Sequence, residues 1–194
     1  MILTKEDLNN YLLCDKRALG KNYSRPKWND EIWKFEIALR HHEYHYNNKD
    51  KFIHKILCFY WAWRHHKIGV RLNFTIPVNT CGKGLRLNHY GTVIINSNAI
   101  IGDFCDIHAD VNIGQNGGGK INGKNTPIIG NNVWIGPGAK LFGKITIADY
   151  CQIGANAVVN KSFNIVGAVL VGCPAKIIKI NTFVSKDNIN NKET

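Results

Sequence analysis

The feature that most constrains this chain is an aliphatic residue that returns every six positions in its C-terminal half, with one interruption. A small or β-branched residue stands four positions after it. A helix repeats every 3.6 residues and a strand every two, so a period of six fits neither element alone. The aliphatic positions are Ile95, Ile101, Ile107, Ile113, Ile129, Ile135, Leu141, Ile147, Ile153 and Val159, and the small positions are Ala99, Cys105, Val111, Val133, Ala139, Ile145, Cys151 and Ala157.

Such a hexad predicts a short strand followed by a turn, so that three hexads close one triangular coil. Gly follows the aliphatic residue in five hexads, and Gly tolerates the unusual dihedral angles of such a turn. Stacked coils bury a continuous apolar column and satisfy one another's backbone hydrogen bonds. The period therefore predicts a parallel β-helix, although it does not set the hand of the helix.

Two irregularities interrupt the repeat. A looser register precedes Ile95 and slips by two residues just after His89, and slips of this kind often lie near functional sites. Residues 115–127 then depart from the coil with four Gly and three Asn. A long loop inside a compact domain is usually functional or disordered, and the immediate return of the repeat favours a functional loop.

Residues 1–72 lack the hexad and predict three helices. Thr4 to Asp7 resembles a capping box, Asn29 and Asp30 can cap a second helix, and Asp50 can cap a third that ends near Trp63. We therefore expect a mainly β protein with three parts. They are an α-helical N-terminal subdomain at 1–72, a β-helix domain at 73–178 that includes loop 115–127, and a polar tail at 179–194.

Charge and cysteine content limit the partners. The net charge is +11 and is spread along the chain, which fits an anionic small ligand at least as well as a nucleic acid, so no nucleic acid is expected. None of the six Cys forms a CxxC pair, so no metal is expected. Met1 is not followed by an apolar leader, and the apolar stretch 52–63 is too short to span a bilayer. The sequence predicts a cytoplasmic protein with peripheral membrane proximity at most.

Only two histidines, His89 and His108, lie in the repeat region. His89 stands in Leu87-Asn88-His89-Tyr90-Gly91-Thr92, at the register slip. This segment resembles the catalytic-histidine motif of serine acetyltransferases, and it is most similar to the serine acetyltransferase-like enzymes of capsule and lipopolysaccharide gene clusters. Residues 111–114, 127–130 and 172–176 resemble further motifs of this hexapeptide-repeat acyltransferase superfamily, so the resemblance covers roughly 73–178.

The resemblance implies a left-handed β-helix and an O-acetyltransferase that uses acetyl-CoA. In that family a histidine, here His89, acts as the general base in direct transfer to a hydroxyl. The resemblance also implies a homotrimer whose pantetheine arm lies in a groove between two subunits. The matching cofactor-binding positions are Gln115, Asn116, Pro137, Ala155 and Lys176.

Several positions depart from the serine-specific pattern. The acid that orients the catalytic histidine is replaced by Phe74, and the Asp before that histidine is Asn88. The Arg-His pair that grips the serine carboxylate is replaced by Asn125 and Thr126. These departures predict a sugar hydroxyl of a surface polysaccharide or its precursor as the acceptor. The predicted acceptor-binding residues are Asn88, His108, Asn125 and Thr126.

Other possibilities remain open at this point. His89 could be oriented by Asn88, by Glu36 or Glu43 of the helices, or by a backbone carbonyl. The alternative function is a serine O-acetyltransferase of cysteine biosynthesis. Less favoured are a γ-class carbonic anhydrase, which needs three His around zinc, and a non-enzymatic scaffold.

Overall fold

The computed structural model describes residues 1–117 and 125–181. Three helices come first: α1 (Lys5–Ala18), α2 (Glu31–Asn47) and α3 (Phe52–Leu72). Fourteen short strands follow: β1 (Phe74–Thr75), β2 (Arg86–Leu87), β3 (Val93–Ile95), β4 (Ile100–Ile101), β5 (Asp106–Ile107), β6 (Val111–Gly114), β7 (Ile128–Ile129), β8 (Trp134–Ile135), β9 (Lys140–Phe142), β10 (Thr146–Ile147), β11 (Gln152–Ile153), β12 (Val158–Val159), β13 (Ala168–Val171) and β14 (Lys176–Ile180).

The strands stack into three sheets that form the sides of a prism. The first sheet has the order β1-β3-β6-β9-β12, the second β10-β7-β4, and the third β14-β13-β11-β8-β5-β2. All pairings are parallel except that of β13 with β14, and Val93 pairs with Val111, one coil later. The predicted helices followed by stacked parallel strands are confirmed.

The hexad accounts for the interior of the prism. Every aliphatic residue from Ile95 to Val159 in the repeat is buried, and so is every small residue from Ala99 to Ala157. Phe104, Asp110, Asn132, Tyr150 and Asn156, each directly before a small position, adopt left-handed backbone dihedrals that turn the corner.

The register slip enlarges one corner of the first coil. Five residues lie between Leu87 and Val93, whereas three lie between their partners Ile107 and Val111 on the next coil. The two extra residues belong to the segment that holds His89. The corner therefore projects beyond the coils stacked on it.

The helices follow their predicted starts with two differences. Thr4 and Asp7 form the predicted capping box of α1. The carboxylate of Asp30 does not cap α2, because it accepts hydrogen bonds from Lys21, Tyr23 and the backbone of Lys27 instead. Those bonds outweigh partial burial and lower the pKa of Asp30 to about 2.

The third helix is longer than predicted. It starts after Lys51 rather than Asp50 and continues past Trp63 to Leu72, where Asn73 ends it in a left-handed conformation. Arg64 and Lys67 suit a helix C-terminus at Trp63, because cations complement that end of a helix. Ile68 and Leu72, however, are buried against the first coil and extend the helix. Packing thus overrides the local charge signal.

A buried ionic network fixes the helices to the first coil. Arg40 is fully buried and donates to Asp15, Glu43 and the carbonyl oxygens of Cys81 and Gly82. The same acids also hold the coil directly: the backbone N–H of Leu85 donates to Asp15, and that of Asn79 donates to Glu43. These bonds position the strand that leads to His89.

Two histidine pairs lie between α2 and α3. The Nδ1 atoms of His42 and His65 are 3.2 Å apart, and those of His45 and His54 are 2.9 Å apart. Burial, together with the neighbouring histidines, lowers the pKa of both His45 and His65 to about 4.

This lowered pKa predicts acid destabilisation. In the unfolded chain His65 binds a proton near pH 6.5, whereas in the folded chain it does so only near pH 4. The free energy of unfolding should therefore fall as pH drops from 6.5 to 4, by roughly 2–3 kcal/mol for this residue. Urea unfolding measured between pH 6.5 and pH 4 should show a smaller decrease in the free energy of unfolding for His65→Leu than for the wild type. Arg17→Leu, on the exposed face of α1, serves as control because Arg17 takes no part in lowering the pKa of His65. An unchanged pH slope in His65→Leu would contradict this account.

Candidate active site

His89 stands at one end of a continuous edge of the prism. The corners between the third and the first sheet stack along this edge, at residues 88–92, 108–110, 136–139 and 154–157. The turn 172–175 between β13 and β14 continues the edge, because Val158 donates to Gly172. The backbone N–H of Gly138 donates to Ala109, and that of Asn156 donates to Pro137, so successive corners are in direct contact. A Cβ on Gly91 would lie 3.0 Å from that of Ala109. Small residues thus let an extended ligand approach the backbone.

The predicted cofactor-binding residues divide between two edges. Pro137 and Ala155 lie exposed on the edge of His89, and Lys176 follows its last corner. Gln115 and Asn116 lie at the end of β6, across the first sheet, where Asn116 approaches Gly143. Within one subunit the structure therefore does not bring all five together.

A polar cluster lies beside His89 on the third sheet. The amide nitrogen of Asn88 is 3.1 Å from Nε2 of His108. Because an amide nitrogen can only donate, Nε2 of His108 accepts this hydrogen bond and His108 carries its proton on Nδ1. The His108 ring lies 5.6 Å from that of His89 and 4.9 Å from that of Trp134. His108 is one of the predicted acceptor-binding residues, and the ring contact places it beside His89 in the cluster.

A charged pair completes the cluster. Arg86 donates to Asp106 at 3.1 Å, and the other oxygen of Asp106 lies 3.6 Å from Nε2 of His108. That oxygen is buried without a hydrogen-bond partner among the described residues. Burial raises the pKa of Asp106 and lowers the pKa of His108.

A small polar pocket adjoins the cluster from the side of the helices. Its volume is about 160 Å³, and both chain neighbours of His89 line it. Two cations, Lys21 and Arg86, and two carboxylates, Asp30 and Glu31, also line it. Both signs of charge therefore face one cavity of small-molecule size. Sequence reasoning missed this pocket because its walls come from segments far apart in the chain.

The contacts of Phe74, Glu36 and Glu43 show whether any of them touches His89. Phe74 is buried against Phe35 in the core. Glu36 accepts from the backbone N–H of Leu87, and Glu43 is held by Arg40, so neither acid contacts His89. Within residues 1–117 and 125–181, the ring of His89 contacts that of His108 and makes no hydrogen bond.

The two predicted loop residues have structural contacts at the base of loop 115–127. Asn125 donates to the carbonyl of Asn116 and accepts from the backbone of Lys144. The hydroxyl of Thr126 is held by the carbonyl of Asn98. Their assignment as acceptor-binding residues stays a prediction, and residues 118–124 of this loop lie outside the described part of the chain.

Comparison with known proteins decides the family. Residues 126–161 match the family model "Bacterial transferase hexapeptide (six repeats)". A serine acetyltransferase of Helicobacter pylori strain J99 is 35% identical over 143 residues, which cover 65% of this chain and 80% of that protein. This chain belongs to the serine acetyltransferase family. As a member of that family it is an acyltransferase.

Other serine acetyltransferases are also similar to this chain, but the chain spans only part of their length. The Synechococcus elongatus enzyme is 39% identical over 102 residues, which are 53% of this chain and 41% of that protein. The soybean serine acetyltransferase apoenzyme superimposes with a TM-score of 0.68 at 26% identity, covering 88% of this chain and 69% of its own. Its complex with serine gives a TM-score of 0.66 at 25% identity, with the same shares.

The predicted sugar acceptor is wrong. The relatives that establish the family are named serine acetyltransferases, and none of those reported is named as a capsule or lipopolysaccharide enzyme. The expectation of a sugar rested on the lack of charged side chains at Asn125 and Thr126. Arg86 and Lys21 supply cations from other elements, in the pocket beside Asn88 and Tyr90.

No group of three or more His, Cys, Asp or Glu side chains in the described part of the serine acetyltransferase chain is placed to hold a metal ion. No helix in the same residues is both long and apolar enough to cross a membrane.

Proposed function

We propose that this protein transfers the acetyl group of acetyl-CoA to the hydroxyl of L-serine, with His89 as the general base. The observation that carries this proposal is the charged pocket of about 160 Å³ that touches both neighbours of His89. Serine is a small zwitterion, and a small pocket lined by both cations and carboxylates suits it. The names of the family members support the same acceptor.

The mechanism follows from the residue types. A neutral imidazole at His89 takes the proton of the serine hydroxyl as its oxygen attacks the thioester carbonyl. The tetrahedral intermediate then expels the CoA thiolate, which recovers the proton from the imidazolium. Backbone N–H groups of the edge can stabilise the oxyanion. No acyl-enzyme is formed, and no metal takes part.

A residue of the neighbouring coil can orient His89. The acid that the family places on this histidine is absent, because Phe74 occupies its position. We assign that role to His108, whose ring contacts His89 and is itself held by the side chain of Asn88. A residue that acts through His89 in this way affects the rate of transfer more than the binding of acetyl-CoA.

Arg86 is the cation that we assign to the serine carboxylate. It is half-exposed, lines the pocket, and uses only part of its guanidinium on Asp106 and Asn88. A guanidinium has five N–H donors, so it can bind a second carboxylate. Asn88, on the same strand face, lies beside it and can bind the acceptor as well.

Replacing this arginine should weaken serine binding selectively. Arg86→Gln is expected to raise KM for L-serine roughly ten- to a hundred-fold, because a charge-assisted hydrogen bond is lost. KM for acetyl-CoA should change little. Steady-state kinetics with each substrate varied in turn measures both, and Arg17→Gln on the exposed face of α1 is the matched control. Equal changes in the two KM values would contradict the assignment.

The subunit assembly and the cellular location of this protein are proposed from its family. We propose a homotrimer with a left-handed β-helix in each subunit, and acetyl-CoA bound between two subunits. Such a trimer would combine Pro137, Ala155 and Lys176 of one edge with Gln115 and Asn116 of a neighbour. All six Cys are free, and burial raises the pKa of Cys81 and Cys105 to about 12, which is consistent with the proposed cytoplasmic location.

Product analysis tests the proposed function. The protein is incubated with acetyl-CoA and L-serine, and the products are identified by proton NMR. We expect O-acetylserine, and no acetylated product from glycine, which has the same charges but no hydroxyl. Failure to form O-acetylserine in a sample that binds acetyl-CoA would overturn the proposed acceptor.

A further inference from the structure

An exposed apolar stripe runs along α3. Its residues are Phe52, Ile56, Phe59, Trp63 and Val70, spaced three, four or seven apart, which places them on one side of a helix. All five are exposed; Phe52 is 77% and Phe59 79% accessible. Over these residues the stripe is about 27 Å long at 1.5 Å per residue. An exposed apolar surface of this extent indicates an interaction site.

The stripe cannot turn inward, because the opposite side of α3 is already packed. Ile68 and Leu72 are buried in the core, and Trp61 stacks on His41 of α2 at 4.2 Å. Gly69 lies so close to the first coil that a Cβ there would be 2.8 Å from the carbonyl oxygen of Phe74. The orientation of α3 is therefore fixed by packing, and the stripe faces outward.

The charges beside the stripe are positive. Lys55 and Lys67 are exposed on its two flanks, and α3 contains no Asp or Glu. The ammonium group of Lys67 lies 4.9 Å from the ring of Trp63, and the guanidinium of Arg64 lies 5.4 Å from that of Trp61. Lysine and arginine stems beside aromatic rings are typical of helices that lie at a lipid headgroup surface.

The nearby acids do not neutralise this face. Glu31 of α2 is paired with Lys34 and Arg71 at the C-terminal end of α3. Asp50 precedes the helix, next to Lys49 and Lys51. The flanks of the stripe therefore keep a net positive charge.

We propose that the α3 stripe docks this protein on the surface of an anionic lipid bilayer. The apolar side chains would enter the boundary between headgroups and acyl chains, with α3 parallel to the membrane plane. The cations on both flanks would contact anionic headgroups, each adding roughly 1 kcal/mol of attraction. The charge pattern favours lipid over a second copy of this helix, because two α3 helices would bring cations against cations.

Vesicle flotation of the full-length protein tests the proposal. We expect the protein to float with vesicles of phosphatidylcholine and phosphatidylglycerol, to float far less with phosphatidylcholine alone, and to be released at about 0.5 M salt. Phe59→Ser with Trp63→Ser should lower the partition coefficient roughly a hundred-fold, since two aromatic side chains no longer enter the bilayer. Trp28→Ser is the matched control, because Trp28 is 87% exposed but lies outside the stripe.

A second variant leaves the apolar surface intact. Lys55→Glu with Lys67→Glu should also abolish flotation with anionic vesicles, and circular dichroism checks that both double variants are folded. No flotation of the wild type, or equal loss in Trp28→Ser, would overturn the proposal. A wild-type particle mass in sedimentation velocity that halves in Phe59→Ser with Trp63→Ser, without vesicle binding, would instead make the stripe a contact between copies. None of these readouts depends on the reaction catalysed.

Discussion

Replacing His89 by alanine is expected to lower kcat by about 100- to 10,000-fold, because the reaction loses its general base. The side chain stands on an enlarged corner and is exposed. The affinity for acetyl-CoA should therefore stay within a few-fold of the wild type, since the expected contacts of the cofactor are along the edge rather than with this ring. Rates of CoA release and equilibrium binding of acetyl-CoA measure the two effects separately.

The matched control for this substitution is His66→Ala, which removes an exposed histidine of α3. It should leave kcat unchanged. A His89→Ala variant that keeps more than about a tenth of the wild-type kcat would exclude His89 as the base. His108 would then be the remaining histidine of the coil that could fill that role.

Replacing Arg40 should have the largest effect on stability. Arg40→Met removes the cation from a network that is entirely buried, and leaves the carboxylates of Asp15 and Glu43 without their partner. Breaking a buried ion pair in this way costs about 3–5 kcal/mol. Although burial opposes it, Asp15 and Glu43 raise the pKa of Arg40 above its usual value, so the guanidinium stays charged at any working pH.

Urea unfolding measures this loss. The exposed Arg17→Met on α1 is the control and should change the free energy of unfolding by less than about 0.5 kcal/mol. Adding Asp15→Asn and Glu43→Gln to Arg40→Met should restore part of the stability, because the uncompensated charges are then removed. A loss below about 1 kcal/mol in Arg40→Met would mean that other contacts hold the helices to the first coil.

The sequence predicted the β-helix because its signal is local and repeated. Each hexad carries its own buried aliphatic and its own small corner residue, so one repeat can be recognised without knowing which other segment lies beside it. The slip before Ile95 likewise predicted the enlarged corner at His89. The end of α3 was missed, because Leu72 is helical through its packing on the first coil and not through a local signal.

The site was predicted only in part, for the same physical reason. His89 stood out by its motif, and His108 by being the other histidine of the coil. Arg86, Lys21 and Asp30 come from three separate segments, and only the docking of the helices brings them to one pocket. The alternatives in which Glu36 or Glu43 orients His89 find no support for the same reason, since both acids accept hydrogen bonds from the backbone of the first coil.

The central claim is that this member of the serine acetyltransferase family uses the hydroxyl of L-serine as its acceptor. The most direct test is the initial rate of CoA release from acetyl-CoA, measured with the wild-type protein as the concentration of L-serine is raised. We predict a saturable increase with L-serine and no increase with glycine. A rate that is the same with and without L-serine, in a sample that binds acetyl-CoA, would contradict the claim.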